Sequence, residues 1–139
     1  WLESVMNREN EKRFAICLKE DGTYIGNIFF TDIKDKSAML NIFIGDMTHW
    51  GRQRAMEAVI LIGIYGFKDL QLETIVGIMD KRNQGSAALA RNFGSCPVEE
   101  FFDESTQRTM TKWIFTKKLY EENYHFTLMQ NRQHSQKEI

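Results

Sequence analysis

The stretch from Phe43 to Ala58 reads FIGDMTHWGRQRAMEA, and it decides the fold. An apolar strand ends at Gly45, a short polar turn follows, and a helix is predicted to begin at Gly51. The first N–H groups of a helix have no partner within it, and the helix dipole adds partial positive charge there. Arg52 and Arg54 bring two cations to the same end. This pattern predicts a phosphate or diphosphate site; a plain strand-to-helix turn with solvated arginines is the alternative.

Upstream of this stretch, the sequence predicts an antiparallel meander of three strands. The alternation of apolar residues places these strands at Arg13–Glu20, Tyr24–Asp32 and Ala38–Gly45. Asp21-Gly22 is a strong hairpin-turn signal between the first two strands. Residues 1–12 are predicted to be the end of a helix followed by a loop, because their apolar side chains have the spacing of one helix face.

Downstream of this stretch, the sequence predicts alternating helices and strands. The predicted elements are a helix over Gly51–Asp69, a strand over Leu72–Asp80, a helix over Asn83–Asn92, and a closing hairpin of Val98–Phe102 and Thr109–Lys117. A strand, helix, strand, helix order favours parallel pairing of the two strands. The last segment, Tyr120–Ile139, is polar and is predicted to be a mobile or weakly helical tail.

Composition and charge narrow the functional classes. The chain has 139 residues, of which 42% are hydrophobic, and this length corresponds to one domain. Its formal charge of −1 disfavours nucleic-acid binding. The longest apolar run, Ala58–Tyr65, is too short to span a membrane. Cys17 and Cys96 form no paired motif, and His125 and His134 have no metal-ligand spacing with them. We therefore expect no metal site, no membrane partner and a reducing, cytoplasmic location.

The central stretch resembles the acetyl-CoA-binding motif of the GNAT N-acetyltransferases, and most nearly their RimJ/RimL-like ribosomal-protein alanine acetyltransferase branch. That branch shows Trp-Ile-Gly and then Tyr-Trp-Gly-Lys-Gly-Tyr-Ala-Thr-Glu-Ala, where this chain has Phe43-Ile44-Gly45 and then the ten residues from His49 to Ala58. A second block, Asn-x-x-Ser followed by a helix ending near Lys-x-Gly-Phe, is matched by Asn83–Ser86 and Asn92–Ser95. The resemblance extends over residues 14–119.

The resemblance implies an α/β (α+β) domain with the GNAT fold, over residues 1–139. In this fold a mixed, mostly antiparallel sheet is flanked by helices and splayed between the strands at 38–45 and 72–80, and the N-terminal strand and helices are expected to be missing here. The co-substrate would be acetyl-CoA, with its pantetheine arm in the splay. The implied cofactor-binding residues are Phe43, Ile44 and Gly45 for the arm, Gly51, Arg52, Gln53, Arg54 and Ala55 for the diphosphate, and Asn83 and Ser86 beside the arm.

Ser86 is the candidate catalytic residue, because the resemblance implies that it protonates the departing CoA thiolate. The alternative is a helix-start serine whose hydroxyl bonds the preceding backbone. Ser86 matches the family pattern, but three positions elsewhere in the chain depart from it. Gln53 stands where the family has a glycine, Met39 where it often has a glutamate, and Ala90 where other branches have a tyrosine. No general base is evident, so an ordered water is expected to take the amine proton.

We therefore expect an acetyl-CoA-dependent N-acetyltransferase that acts on a primary amine of a small molecule or peptide. The acceptor is left open among a protein N-terminus, an amino sugar, a polyamine and an aminoglycoside. The alternatives are a non-catalytic GNAT-fold module for CoA binding or assembly, and a truncated product. An acidic group, Glu99, Glu100, Asp103 and Glu104, either attracts a cationic amine or protects a strand edge by charge. A homodimer is expected, because a missing first strand opens a sheet edge and Thr109–Lys117 is apolar on both faces.

Overall fold

Seven strands form one mixed sheet in the computed structural model, which describes residues 2–8, 10–45 and 54–123. The strands are β1 (Leu2–Arg8), β2 (Glu11–Cys17), β3 (Tyr24–Lys34), β4 (Ser37–Ile44), β5 (Thr74–Asp80), β6 (Pro97–Asp103) and β7 (Arg108–Thr116). Their order in the sheet is β1-β2-β3-β4-β5-β7-β6. Helix α1 (Arg54–Ile64) continues as one π-helical turn, Tyr65–Asp69, α2 spans Gln84–Asn92, and residues 117–123 are helical.

Strands β2, β3 and β4 form the predicted antiparallel meander. The β3–β4 turn contains Asp35 and Lys36, with φ of 52° and 60°. Two consecutive positive φ angles are those of a type I′ turn, whose twist suits a two-residue hairpin. The chain then crosses over through α1, and β5 pairs parallel with β4, as the alternating strand and helix pattern predicts.

β4 and β5 separate part of the way along their length. Their pairing runs from Ser37–Thr74 to Leu40–Gly77, whereas β4 continues to Ile44 and β5 to Asp80. We call the resulting gap the fork, and Leu40 and Gly77 its base. The open end of the fork lies at the carboxyl end of β4, the end from which the chain proceeds to α1. The expected splay of the sheet is therefore present.

One face of the sheet, the covered face, packs against both helices in a single core. Ile28 and Phe30 of β3 are fully buried there, and Trp113 of β7 is 2% exposed. The other face carries Phe29, Met39, Val76, Ile78 and Lys112, and we call it the open face. Alternation along each strand directs these side chains away from the helices, and none of them belongs to the core.

The structure corrects the prediction for residues 1–12. Leu2–Arg8 forms β1, which pairs antiparallel with β2 over Leu2–Ile16 to Arg8–Glu11. The helix-like spacing of the few apolar residues is overridden, because a strand at this place supplies hydrogen-bond partners to the edge of β2. The expectation of a missing first strand is also wrong: the sheet position beside β2 is filled.

The apolar character of β7, the last strand of the predicted closing hairpin, is explained by its place in the sheet. β7 lies between β5 and β6, so both of its edges are paired and Trp113 and Phe115 are buried in the core. Its apolar character therefore requires no second chain, and two of the sequence arguments for a homodimer do not hold. Of the predicted tail, residues 120–123 are helical and 124–139 lie outside the described residues.

Candidate functional site

The open end of the fork is where the sequence predicts the diphosphate site. Arg54 and Ala55, both half-buried, are the first described residues of α1. Gly51, Arg52 and Gln53 lie outside the described residues, so the diphosphate turn and the effect of the glutamine remain predictions.

The backbone of β4 forms one wall of the fork, and its alternation decides which residues face the gap. The Thr74 amide donates to the Lys36 carbonyl (3.3 Å), and the Gly45 amide donates to the Ile25 carbonyl on β3 (3.1 Å). Backbone groups along a strand point alternately to the two neighbours. The backbone N–H and C=O groups of the even-numbered residues of β4 therefore point toward β5 and the fork. Those of the odd-numbered residues point toward β3.

This alternation divides the three residues predicted to hold the pantetheine arm. The backbone of Ile44 faces the fork, whereas that of Phe43 faces β3 and its side chain is 63% exposed. The Gly45 amide is already used by β3. Ile42, the first fork-facing residue beyond the last β4–β5 pair, was missed by the sequence reasoning. Its position in the strand register was the signal that could have found it.

The facing wall ends in the turn between β5 and α2, where Asn83 caps the helix. The Asn83 side-chain oxygen accepts a hydrogen bond from the Ser86 amide (3.0 Å), a standard capping interaction. The amide nitrogen of the Asn83 side chain remains a potential donor to a ligand. Ser86 is half-buried, and its hydroxyl has no hydrogen bond among the described residues. The alternative in which this hydroxyl bonds the preceding backbone is not seen, so the hydroxyl is available.

Asp80 holds this turn in place from the end of β5. Its carboxylate accepts hydrogen bonds from the Arg82 amide (2.9 Å) and from the Arg82 guanidinium (3.2 and 3.1 Å), and Arg108 lies 3.8 Å away. Its carbonyl accepts from the Asn83 amide (2.9 Å). The hydrogen bonds from Arg82 lower the pKa of Asp80 to about 2. Asp80 is thus a positioning residue for Asn83 and Ser86.

The lowered pKa of Asp80 predicts a pH-dependent contribution to stability. A carboxyl whose pKa is lower in the folded state than its unfolded value of about 3.9 stabilises the fold above that value. The contribution is lost as the pH falls toward about 2. Between pH 4 and pH 2 the wild type should therefore lose more stability than Asp80→Asn, measured by urea unfolding at each pH. Asp35→Asn, in the β3–β4 turn, is the control and should follow the wild type; identical curves for Asp80→Asn and wild type would contradict the prediction.

A cavity of about 350 Å³ opens on the open face at the base of the fork. Its lining combines charged and apolar side chains from five strands: Asp32, Ser37, Ala38, Met39, Val76, Ile78, Glu99, Phe101 and Lys112. Met39, at the position where the family often has a glutamate, is part of this lining. Ala90, at the position where other branches have a tyrosine, is 2% exposed in the core of the covered face.

The structure divides the acidic group that the sequence placed in the closing hairpin. Glu99 lines the cavity. Glu100 forms a salt bridge with Lys81 (3.1 Å), and Asp103 accepts hydrogen bonds from Ser105, which lower the pKa of Asp103. Glu104 lies in the turn between β6 and β7. Only the first of the four is therefore placed to meet a molecule in the cavity.

The described part of the chain offers no metal centre. No group of three His, Cys, Asp or Glu side chains among residues 2–8, 10–45 and 54–123 is arranged to hold a metal ion. Within those residues, no helix is long and apolar enough to cross a membrane.

The sheet is mixed and forked, α1 lies beyond the open end of the fork, and a capped turn follows the facing strand. These features define a class of α/β domains that can hold a long ligand between two strands. Within this class the chain belongs to the GNAT acetyltransferases, because the model of the acetyltransferase (GNAT) domain family matches residues 1–95. The fold expected from the sequence is thereby confirmed. The comparison with curated proteins found no match.

Solved structures of similar fold include spermidine N-acetyltransferases from Vibrio cholerae. A spermidine N-acetyltransferase in complex with CoA and spermine has a TM-score of 0.71 and 20% identity, covering 81% of this chain and 69% of that one. The spermidine/spermine N-acetyltransferase SpeG in complex with manganese ions has a TM-score of 0.72 and 20% identity, covering 84% of this chain and 71% of that one. At this identity the likeness establishes the fold.

Proposed function

We propose that the protein is an acetyl-CoA-dependent N-acetyltransferase that acts on a primary amine. The observation that carries the proposal is the fork, whose β4 wall directs the backbone of Ile42 into the gap. A pantetheine arm contains two amide groups, which need hydrogen-bond partners when they leave water. A strand edge that faces a gap offers such partners at regular spacing.

The direction of the fork determines where the reactive end of the cofactor lies. With its diphosphate at the start of α1, near Gly51, Arg52, Gln53, Arg54 and Ala55, acetyl-CoA enters at the open end. Its arm then runs between the two walls toward Leu40 and Gly77, where the strands meet. The thioester, at the tip of the arm, therefore reaches the base of the fork beside the Ile42 amide.

Transfer consists of one substitution at the thioester carbonyl. The ammonium of the acceptor first gives a proton to water, and the neutral amine then attacks the carbonyl carbon. The Ile42 N–H stabilises the negative charge that develops on the carbonyl oxygen. The carbon–sulfur bond breaks, the Ser86 hydroxyl protonates the thiolate, and the hydroxyl is reprotonated by the proton that the attacking nitrogen releases through solvent. The products are an N-acetyl amine and CoA.

A polyamine is the acceptor we propose to test first. The solved structures above are named as spermidine or spermine acetyltransferases, and one of them contains spermine. The RimJ/RimL-like branch, whose acceptor is a protein N-terminus, remains our proposal on the motif residues from His49 to Ala58.

A non-catalytic CoA-binding module is the second candidate, favoured by two specific positions. Met39 places a thioether, and not a carboxylate, in the cavity at the base of the fork. Ala90 lies in the core and has no proton to give. Under this reading the fork binds CoA, and no amine is acetylated.

Acetyl-CoA at 100 times its dissociation constant should raise the free energy of unfolding by about 2.7 kcal/mol, because it binds only the folded state. A thermal-shift titration with acetyl-CoA measures this effect. Free-thiol release in the presence of spermidine, or of a peptide with a free N-terminus, then separates the two candidates: the enzyme releases CoA with one of them and the binding module with neither. A melting temperature unchanged at millimolar acetyl-CoA would contradict both.

We also propose a homodimer and a cytoplasmic location. β1 and β6 each have one neighbouring strand, so both edges of the sheet can accept a partner strand. Cys17 and Cys96 form no disulfide bond, which is compatible with a reducing compartment.

A further inference from the structure

We propose that the cavity at the base of the fork is the acceptor-binding pocket, and that Asp32 makes it selective for amines that carry a second ammonium group. The inference rests on the proposed acetyl transfer and adds to it the place of the acceptor and the residue that selects it.

The cavity lies where an acceptor must approach. Met39 and Val76 face each other across the last paired part of β4 and β5, one residue before the base of the fork. Both line the cavity, together with Ile78, which lies just beyond the base. An amine in the cavity therefore adjoins the point that the thioester reaches through the fork.

The lining suits an alkyl chain that carries positive charge. Met39, Val76, Ile78 and Phe101 offer apolar surface for methylene groups, each of which gains about 0.8 kcal/mol when buried. The carboxylates of Asp32 and Glu99 offer acceptors for ammonium groups. Asp32 and Glu99 are exposed, so water hydrates them without a ligand, and only a cationic acceptor would gain a charge-assisted hydrogen bond from them.

Asp32 enters the cavity because of a backbone irregularity. In a regular β3, Asp32 would share the covered face with Ile28 and Phe30. The register between β3 and β4 shifts between Thr31 and Lys34, and Asp32 has a φ of 51°, in the left-handed region. Such a bulge redirects the side chains of the strand that carries it. It brings a carboxylate into a cavity on the open face.

The two carboxylates of the cavity are not equivalent. Glu99 lies directly opposite Lys112 in the β6–β7 register, and both line the cavity. Opposite charges at facing positions on neighbouring strands attract each other. Lys112 therefore competes with a bound ammonium for Glu99. Asp32 is left as the carboxylate that offers an ammonium the stronger attraction.

The position of Asp32 also sets the length of the acceptor. Asp32 lies near the level of Ala38, two residues along β4 from Leu40 at the base of the fork. At about 3.3 Å per residue this is a separation of roughly 7 Å. A chain of four carbons between two nitrogens, with bonds of about 1.5 Å, spans roughly 6 Å. The reactive amine can then meet the thioester while the second ammonium meets Asp32.

The test compares 1,4-diaminobutane with butylamine, which lacks the second ammonium. With CoA present, calorimetry on the wild type should give a dissociation constant for the diamine about 2 to 5 times lower than for the monoamine, the effect of one exposed ion pair. Asp32→Asn should abolish this preference, since asparagine keeps the shape and also tolerates a positive φ. Asp35→Asn is the matched control, because Asp35 has a φ of 52° in the same hairpin and does not line the cavity; it should keep the preference.

Two results would overturn the inference: a wild type that does not prefer the diamine, and an Asp32→Asn variant that keeps the preference. Stabilisation by acetyl-CoA, measured on the same samples, separates this failure from failure of the proposed function. If acetyl-CoA stabilises both proteins and butylamine is acetylated as well as the diamine, the transferase proposal stands and the role of Asp32 is wrong. If acetyl-CoA binds neither protein, the proposed function fails as well.

Discussion

Ile42→Pro should lower the rate of acetyl transfer by about two to three orders of magnitude, the usual cost of removing one donor to a developing oxyanion. Proline has no N–H, and in β4 the Ile42 N–H points into the fork. The ladder to β3 uses the odd-numbered residues, so it keeps its hydrogen bonds. β4 resembles an edge strand on its fork side beyond Leu40, and an edge is where proline is tolerated in a sheet.

Ile42→Ala is the matched control, because it removes the side chain and keeps the N–H. Both variants lose packing of a half-buried residue, so a difference in turnover between them isolates the backbone donor. Steady-state release of free thiol gives the rate, and circular dichroism confirms that each variant is folded. Equal turnover of the two variants would show that the Ile42 amide plays no part in the reaction.

Trp113→Ala should lower the free energy of unfolding by about 3–5 kcal/mol, a large part of the total stability of about 5–15 kcal/mol for a domain of this size. Trp113 is 2% exposed, and its indole nitrogen donates to the Thr111 hydroxyl (3.0 Å). The Arg91 guanidinium lies 5.4 Å from the centre of its ring, which ties α2 to the sheet. The substitution therefore leaves a cavity in the core beneath α2, the helix that begins at the Asn83 cap.

Phe102→Ala provides the comparison on the neighbouring strand β6. Phe102 is 56% exposed, so its loss should change the stability by no more than about 0.5 kcal/mol. Urea unfolding measures both variants, and the slope with denaturant should stay the same if only stability changes. A loss below about 1 kcal/mol for Trp113→Ala would mean that α2 is held to the sheet by other contacts.

The order of elements and their types could be predicted from the sequence, because they depend on local patterns. The three strands from Arg13 to Gly45, the crossover helix and the second helix all lie close to their predicted places. Asn83 is read correctly as the start of α2, since its capping hydrogen bond joins residues three apart. The two GNAT motifs are also local, and they led to the fold that the family match confirms.

The features that only the tertiary structure decides are those that depend on neighbouring strands. Residues 2–8 form a strand because β2 offers an unpaired edge, which no local pattern within residues 1–12 reveals. The choice of Ile42 over Phe43 and Gly45 as a fork-facing residue depends on which of its neighbours each peptide group of β4 meets.

The candidate acceptor pocket was beyond sequence reasoning for the same reason. Its carboxylate Asp32 occupies a position that regular alternation assigns to the core, and only the bulge against β4 turns it to the open face. Local sequence determined which segments become strands and helices, because propensity, capping and turn chemistry act over a few residues. Register, bulges and the point where β4 and β5 part were decided by pairing between distant segments, because each backbone group must find its hydrogen-bond partner across the sheet.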